Sequence, residues 1–220
     1  MSRGPWVAVL LDENTSTGST RYEAAKGYFA GVARNGGLPF GVPYEAAMVA
    51  PVIDDFDALL TLGGRYAMPA EWYVGPAAAS PPNDRLTVEI GLVRGFLAAD
   101  KPVLGICAGM QVLAALNGAR VTAQIPHHND RELSHEVLTV PGTRLAALVG
   151  ERLTVNTFHN EAIVEPGSTV VSAHASDGTV EAIELPGARF ALGVQWHQEL
   201  HAADHPGEAL FRGLIDACER

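Results

Sequence analysis

A nucleophile and its proton carrier can be read from two stretches of this sequence. Cys107 stands in Pro102-Val103-Leu104-Gly105-Ile106-Cys107-Ala108-Gly109-Met110-Gln111. There a β-rich run leads into Gly-x-Cys-x-Gly and then into a helix-like stretch, the thiol form of a nucleophile elbow. At such a turn the backbone of the nucleophile is strained and flanking side chains would collide, so small residues are needed two positions before and after it. A thiol projecting from a strand end at a helix N-terminus also meets a partial positive charge that favours the thiolate. The plain alternative is an ordinary buried cysteine in a strand-to-helix turn.

An acylating thiol needs a proton carrier, and the carrier needs an orienting acid. Gly193-Val194-Gln195-Trp196-His197-Gln198-Glu199 supplies both. His197 and Glu199 are two apart at the end of an apolar run, so an extended backbone points them to one side. Glu199 would then hold one imidazole nitrogen and leave the other for Cys107. Taken alone, His197 reads as a core or surface histidine. Backbone donors for a developing oxyanion are offered by Gly63-Gly64, just after the apolar run Ala58 to Leu62, and by the amide of Ala108. A tight turn would explain the glycine pair equally well. Gln111 lies one helical turn beyond the nucleophile and can reach the same pocket. His197 and His201 are four apart, but the zincin pattern carries its Glu directly after the first His and lies mid-helix, so metal-dependent hydrolysis fits poorly and no metal is assigned. His127, His128 and His135 read as loop or pocket wall, His201 and His205 as solvated residues, and Cys218 as a helix residue without chemistry.

The elements that must position these groups follow from periodicity. Short apolar β-rich runs alternate with stretches whose apolar residues recur every three to four positions, the pattern of an α/β domain. Strands are expected at Trp6 to Leu11, Leu38 to Tyr44 (an edge strand, given Pro39 and Pro43), Ala58 to Leu62 and Pro102 to Ile106. Helices are expected at Arg21 to Asn35, ended by Gly36-Gly37, then at Asp84 to Ala99 and at Ala108 to Leu116. Asp12 to Thr20 and Gly75 to Asn83 read as loops. After Val121 come five β-like runs, Glu136 to Val140, Leu153 to Thr157, Thr169 to His174, Val180 to Leu185 and Phe190 to Trp196. Pro141-Gly142, Pro166-Gly167, Asp177-Gly178 and Pro186-Gly187 punctuate them as hairpin turns. A last helix runs from about Pro206 to Cys218.

With both motifs in hand, the chain resembles the class I glutamine amidotransferase superfamily, and within it the γ-glutamyl hydrolase branch that includes γ-glutamyl-γ-aminobutyrate hydrolases. The likeness spans nearly the whole chain. It includes Tyr22 to Pro39 with its Asn35-Gly36-Gly37-Leu38-Pro39, Leu59 to Gly64, Arg85 and Glu89, Gly105 to Gln111, Val155 to His159, Ser176 to Ala182 and Gly193 to Glu199. The resemblance implies one domain over residues 1–220, a three-layer flavodoxin-like α/β fold with a mostly parallel central sheet, helices on both faces and added β-hairpins in the C-terminal half. It implies a Cys107, His197, Glu199 triad that cleaves a γ-glutamyl amide through a thioester later hydrolysed by water. Gly64 and Ala108 would form the oxyanion hole. Gln111 with Asn156, Thr157, Phe158 and His159 would hold the α-amino and α-carboxylate groups. Ala108 stands where Arg is frequent in this branch, Gln198 where Pro is usual, Leu86 where an acid is common and Leu62 where Pro commonly precedes the two glycines. Arg65 to Pro69 replaces a more acidic loop. These departures bear on the leaving group more than on backbone donation.

Composition narrows the surroundings. The chain has 220 residues, 47% hydrophobic and 18% charged, and no apolar run long enough to span a membrane. A formal charge of −10 repels nucleic acid and anionic membranes, so neither is an expected partner. Two cysteines are too few for a disulfide scaffold, and the N-terminal residues lack the apolar core of a secretory signal, which points to a reducing cytoplasm. No cofactor is called for. The expected partner is a small γ-glutamyl substrate, with a homodimer, a synthetase partner fed with ammonia, or a non-catalytic binding module left open.

Overall fold

The apolar strands bury both faces. Val7 and Val9 of β1 (Trp6–Leu10) pack into one layer while Ala8 and Leu10 pack into the other, and all four are fully buried. Such a strand needs helices on both sides. The computed structural model describes residues 3–14, 16, 20–78, 80, 84–125 and 129–219. Among them, β2 (Asp12–Asn14) and β3 (Arg21–Glu23) form a separate two-stranded ribbon. Then come α1 (Lys26–Arg34), β4 (Leu38–Val42), α2 (Val49–Asp55), β5 (Ala58–Thr61), α3 (Arg85–Ala98), β6 (Val103–Ile106) and α4 (Ala108–Ala115). They are followed by β7 (Arg120–Thr122), β8 (Asn129–Thr139), α5 (Arg144–Val149), β9 (Arg152–Phe158) and β10 (Ala162–Glu165). The chain ends with β11 (Val170–Ala175), β12 (Val180–Glu184), β13 (Ala191–Val194) and α6 (Ala209–Asp216).

The main sheet runs β4-β1-β5-β6-β13-β12-β11-β8-β9, with β10 against β12 and β7. From β4 to β13 every neighbour is parallel, and beyond β13 every pairing is antiparallel. Helices α1, α5 and α6 cover one face, and α2, α3 and α4 the other. This is the layered α/β architecture expected. Because β5, β6 and β13 are parallel and adjacent, their carboxyl ends lie together, and chain leaving those ends forms one crevice.

Several boundaries differ from expectation for local reasons. Arg21 to Glu23 does not start the first helix. These residues pair with Asp12 to Asn14, and the helix begins at Lys26. That helix does end at the glycines: Gly36 takes φ +89° and the Gly37 amide donates back to the Val32 carbonyl at 3.1 Å. The edge strand β4 leaves Leu38 and Phe40 exposed. Helices α2 and α5 and the short strands β7 and β10 carried too few residues to show periodicity. Pro166-Gly167 does not close a hairpin, since β10 pairs with β7 and β12 and not with β11, and Pro141-Gly142 leads into α5. Asp177-Gly178 and Pro186-Gly187 do join antiparallel neighbours. The last helix opens with a 3-10 turn at Pro206–Glu208. No described helix is long and apolar enough to cross a membrane.

Candidate active site

Cys107 sits between β6 and α4 with φ +54° and ψ −108°, a conformation that a side chain bearing Cβ adopts only under strain. The flanking glycines make room for it. A Cβ at Gly105 would lie 2.7 Å from the carbonyl carbon of Gly109, and one at Gly109 would overlap the Thr61 hydroxyl and lie 2.8 Å from its carbonyl oxygen. The turn is closed by the Cys107 amide donating to Val194 at 2.8 Å and by the Gln111 amide donating to the Cys107 carbonyl at 3.2 Å. All eight residues of α4 are buried, so the helix fixes the elbow against the sheet.

β13 lies beside β6 with Val194 opposite Ile106, which brings Gln195 and His197 alongside the thiol. Gln195 Nε2 approaches Cys107 Sγ at 3.6 Å. His197 Nδ1 is 2.7 Å from Glu199 Oε1. The pairing does not come from an extended backbone, as the two-residue spacing suggested. Gln198–Leu200 is a 3-10 turn, and Glu199 reaches the ring by curling back. Burial opposes a charge on His197, but Cys107, which the ring also hydrogen-bonds, and Glu199 more than offset it, and its pKa is held at about 10. The imidazole is therefore protonated at neutral pH and can give a proton to a leaving group.

These groups open on a cleft of about 900 Å³ whose lining includes Cys107, His197, Glu199, Gly64, Gln111 and His159. Phe158 also lines it, its ring 5.5 Å from that of His197. The amide of Ala108 follows the thiol at the start of α4, while the Ala108 side chain packs with Tyr66 and Val112. Gln111 Nε2 donates to Gln195 Oε1 (3.1 Å) and to the Glu161 carbonyl (3.2 Å). Asn156 has a different place from the one the resemblance implied: it and Thr157 are buried behind the cleft wall. Asn156 Oδ1 accepts from the His197 amide at 2.9 Å and Nδ2 donates to the His197 carbonyl at 2.8 Å, clamping that residue's backbone.

The other histidines also have assignments. His201 and His205 are not simply solvated. Their rings stack at 3.9 Å, His201 Nε2 is 3.1 Å from Asn156 Nδ2, and His205 Nε2 donates to the Thr154 carbonyl at 2.8 Å. Burial and the neighbouring His205 lower the His201 pKa to about 4. The two histidines of the metal-like spacing are thus committed to different partners. His135 lies on β8 and, with His159, flanks the buried carboxylate of Glu181 at 3.3 and 3.5 Å. His127 and His128 lie outside the described residues. Cys218 lies just past α6, its thiol on the Leu214 carbonyl and its pKa pushed up to about 12 by burial.

Three further residues at the site did not emerge from the motifs. Tyr28 accepts from the Gly63 amide at 3.3 Å, and burial together with the charge of Glu199 keeps its hydroxyl protonated. The signal was present: Gly27 and Gly31 flank it in a helix, where glycine costs stability unless packing demands it. A Cβ at Gly27 would overlap the Glu199 carbonyl, and one at Gly31 would lie 2.5 Å from the Phe211 ring. Glu161, in the cleft wall, has its pKa raised by burial and accepts from the Tyr73 hydroxyl at 2.8 Å. Gln195 lies within the Gly193 to Glu199 segment, where neither its type nor its spacing announces its contact with Cys107.

The chain is similar to several known proteins. A Mycobacterium tuberculosis protein described as a candidate glutamine amidotransferase is 38% identical over 205 residues, covering 86% of this chain and 66% of its own length. A γ-glutamyl-γ-aminobutyrate hydrolase of Escherichia coli is 28% identical over 240 residues, covering 98% of this chain and 94% of its own. Among solved structures, that of a candidate GMP synthase component from Thermoplasma acidophilum superposes with a TM-score of 0.71. It is 19% identical and is matched over 99% of this chain and 96% of its own, a likeness of fold. The Peptidase C26 family model matches residues 7–199, which include both motifs and every element between them, and the chain belongs to that family.

Proposed function

We propose that this hydrolase cleaves γ-glutamyl amides, of which γ-glutamyl-γ-aminobutyrate is the type, through a γ-glutamyl thioester on Cys107. One observation carries the reading: a strained cysteine and a His197–Glu199 pair face one cleft at the carboxyl ends of adjacent parallel strands. The Cys107 sulfur adds to the amide carbon, and the carbonyl oxygen becomes an oxyanion within reach of the Gly64 and Ala108 amides. His197 passes a proton to the amine nitrogen, the C–N bond breaks and the amine departs. Water then adds to the thioester with His197 taking its proton, the C–S bond breaks, glutamate is released, and the sulfur leaves as the thiolate beside a reprotonated His197. Glu199 holds the ring by Nδ1 throughout, so Nε2 is the nitrogen that exchanges protons. Gln111, Phe158 and His159 form the wall beside the glutamyl group, with Asn156 and Thr157 supporting it from behind.

Intact-mass detection of a γ-glutamyl adduct on Cys107, using a panel of γ-glutamyl amines, glutamine and folyl polyglutamate, tests the reading. Absence of any adduct with a reactive thiol would end it. The relative described as a candidate glutamine amidotransferase favours a second reading, in which glutamine is the substrate and ammonia passes to a synthetase partner. Under that reading the isolated chain is nearly inactive, whereas under the first it turns over by itself.

A further inference from the structure

Arg85, at the start of α3, is fully buried, and its guanidinium faces the back of the glycine loop. Nη2 donates to the Leu62 carbonyl at 2.6 Å and Nη1 to the Gly63 carbonyl at 2.9 Å. Nε meets Glu89 Oε2 at 3.2 Å, Nη1 lies 3.2 Å from Asp12 Oδ1, and the group sits 4.8 Å from the Tyr66 ring centroid. Tyr66 donates its hydroxyl to the same Glu89 oxygen at 2.7 Å. A buried ion pair adds little net stability once desolvation is counted, so its presence here calls for another reason.

The geometry of the peptide supplies one. A trans peptide unit is planar, with its C=O and N–H pointing opposite ways. Holding the Gly63 carbonyl on Arg85 therefore turns the Gly64 N–H away from Arg85. Holding the Leu62 carbonyl likewise turns the Gly63 N–H toward Tyr28. β5 ends at Thr61, so these two peptides lie beyond its sheet pairing, and two glycines in sequence rotate freely without an anchor. The loop is also confined from both sides: a Cβ at Gly63 would lie 2.5 Å from His197 Cε1, and one at Gly64 would overlap Arg85 Nη1. A cation on the carbonyl end further polarises the peptide and strengthens its N–H as a donor to an anion.

We infer that Arg85 is a positioning residue for the oxyanion hole, aiming and polarising the Gly63–Gly64 peptide while Glu89 and Tyr66 hold the guanidinium in place. This rests on the thioester mechanism proposed above. The test is the double variant Arg85→Met/Glu89→Gln, which removes both fully buried charges and leaves only the partly exposed Asp12 without its cation. Acylation of Cys107 by p-nitrophenyl acetate, which passes through an oxyanion, should slow by about 30- to 300-fold, a little below the loss of a whole oxyanion donor. Alkylation by iodoacetamide, which has no oxyanion, should stay within about threefold. With a γ-glutamyl amide, kcat should fall by the same factor as acylation with KM little changed. If the double variant unfolds, Arg85→Lys keeps the charge but holds one carbonyl, and must show the same split at smaller size. Acylation and alkylation both at wild-type rates would overturn the inference. Wild-type protein acylated by the ester but inert to every γ-glutamyl amide would instead end the substrate reading and leave the role of Arg85 standing.

Discussion

Replacing Cys107 by alanine and by glycine measures the strain at the elbow directly. Both variants lose the sulfur, so its packing and charge cancel between them. At an ordinary buried position, alanine to glycine costs about 0.8 kcal/mol for the methyl group and about 0.5–1 kcal/mol for the freer unfolded chain. Ala114, buried in α4, is such a position. At residue 107 the φ of +54° and ψ of −108° impose a strain that glycine does not feel. Strain of this kind is worth about 1–3 kcal/mol, enough to cancel most or all of the usual loss. Cys107→Gly should therefore lie no more than about 1 kcal/mol below Cys107→Ala in stability, whereas Ala114→Gly should fall about 2 kcal/mol below wild type. Urea midpoints at unchanged m-value give the comparison, and for a chain of this size each kcal/mol also shifts Tm by about 2–4 °C. If Cys107→Gly drops below Cys107→Ala by the full amount seen at Ala114, the backbone is not strained and the elbow does not aim the thiol by that means.

Three other outcomes follow from the site. His197, held at about 10 in the free protein, should place the alkaline limb of kcat/KM near that pH. Because its folded pKa lies above the unfolded 6.5, its contribution to stability is complete below that pH and is lost as pH rises from 6.5 to 10. In Cys107→Ala the foremost raising influence is gone, so the His197 titration followed by NMR should move down. Tyr28→Phe leaves the Gly63 amide without its acceptor and should cost about 1–3 kcal/mol of stability by urea melts, with kcat down roughly tenfold. Arg65 is the arginine among the described residues lining the cleft. Arg65→Ala should raise KM for a γ-glutamyl amide about 10- to 100-fold with kcat nearly unchanged.

What could be read from sequence was local. The elbow and the Gln195 to Glu199 segment announce themselves because each packs its chemistry into a few consecutive residues. The strands that deliver them were legible because burial on both faces leaves continuous apolar runs. What escaped was whatever depends on contacts distant in sequence. Tyr28 meets Gly63 across 35 positions and Asn156 meets His197 across 41. No spacing rule shows that an amide side chain will be consumed by another residue's backbone instead of facing a ligand. Glu199 is intermediate: its partner was evident, but the 3-10 turn that brings them together was not, since Trp196-His197-Gln198 carries no turn residue. Elements shorter than two turns or two strand periods, such as α2 and β7, had no periodicity to read.

The net charge of −10 looks at first unsuited to the proposed γ-glutamyl substrate, which brings its own carboxylate. Screening limits the reach of that charge to about 8–10 Å at physiological salt, so an incoming anion responds to the groups lining the cleft. Four of the lining carboxylates have protein partners. Asp12 meets Arg85 at 3.2 Å, Glu23 accepts from Asn14 at 2.9 Å, Glu161 takes the Tyr73 hydroxyl and Glu199 takes His197. Their negative charge is turned toward the protein's own donors. Beside them the cleft lining carries the start of α4, Gly64, Arg65 and a protonated His197. The acids thus hold the cations and dipoles of the site in place, and an acidic protein can in this way offer an anion-accepting cleft.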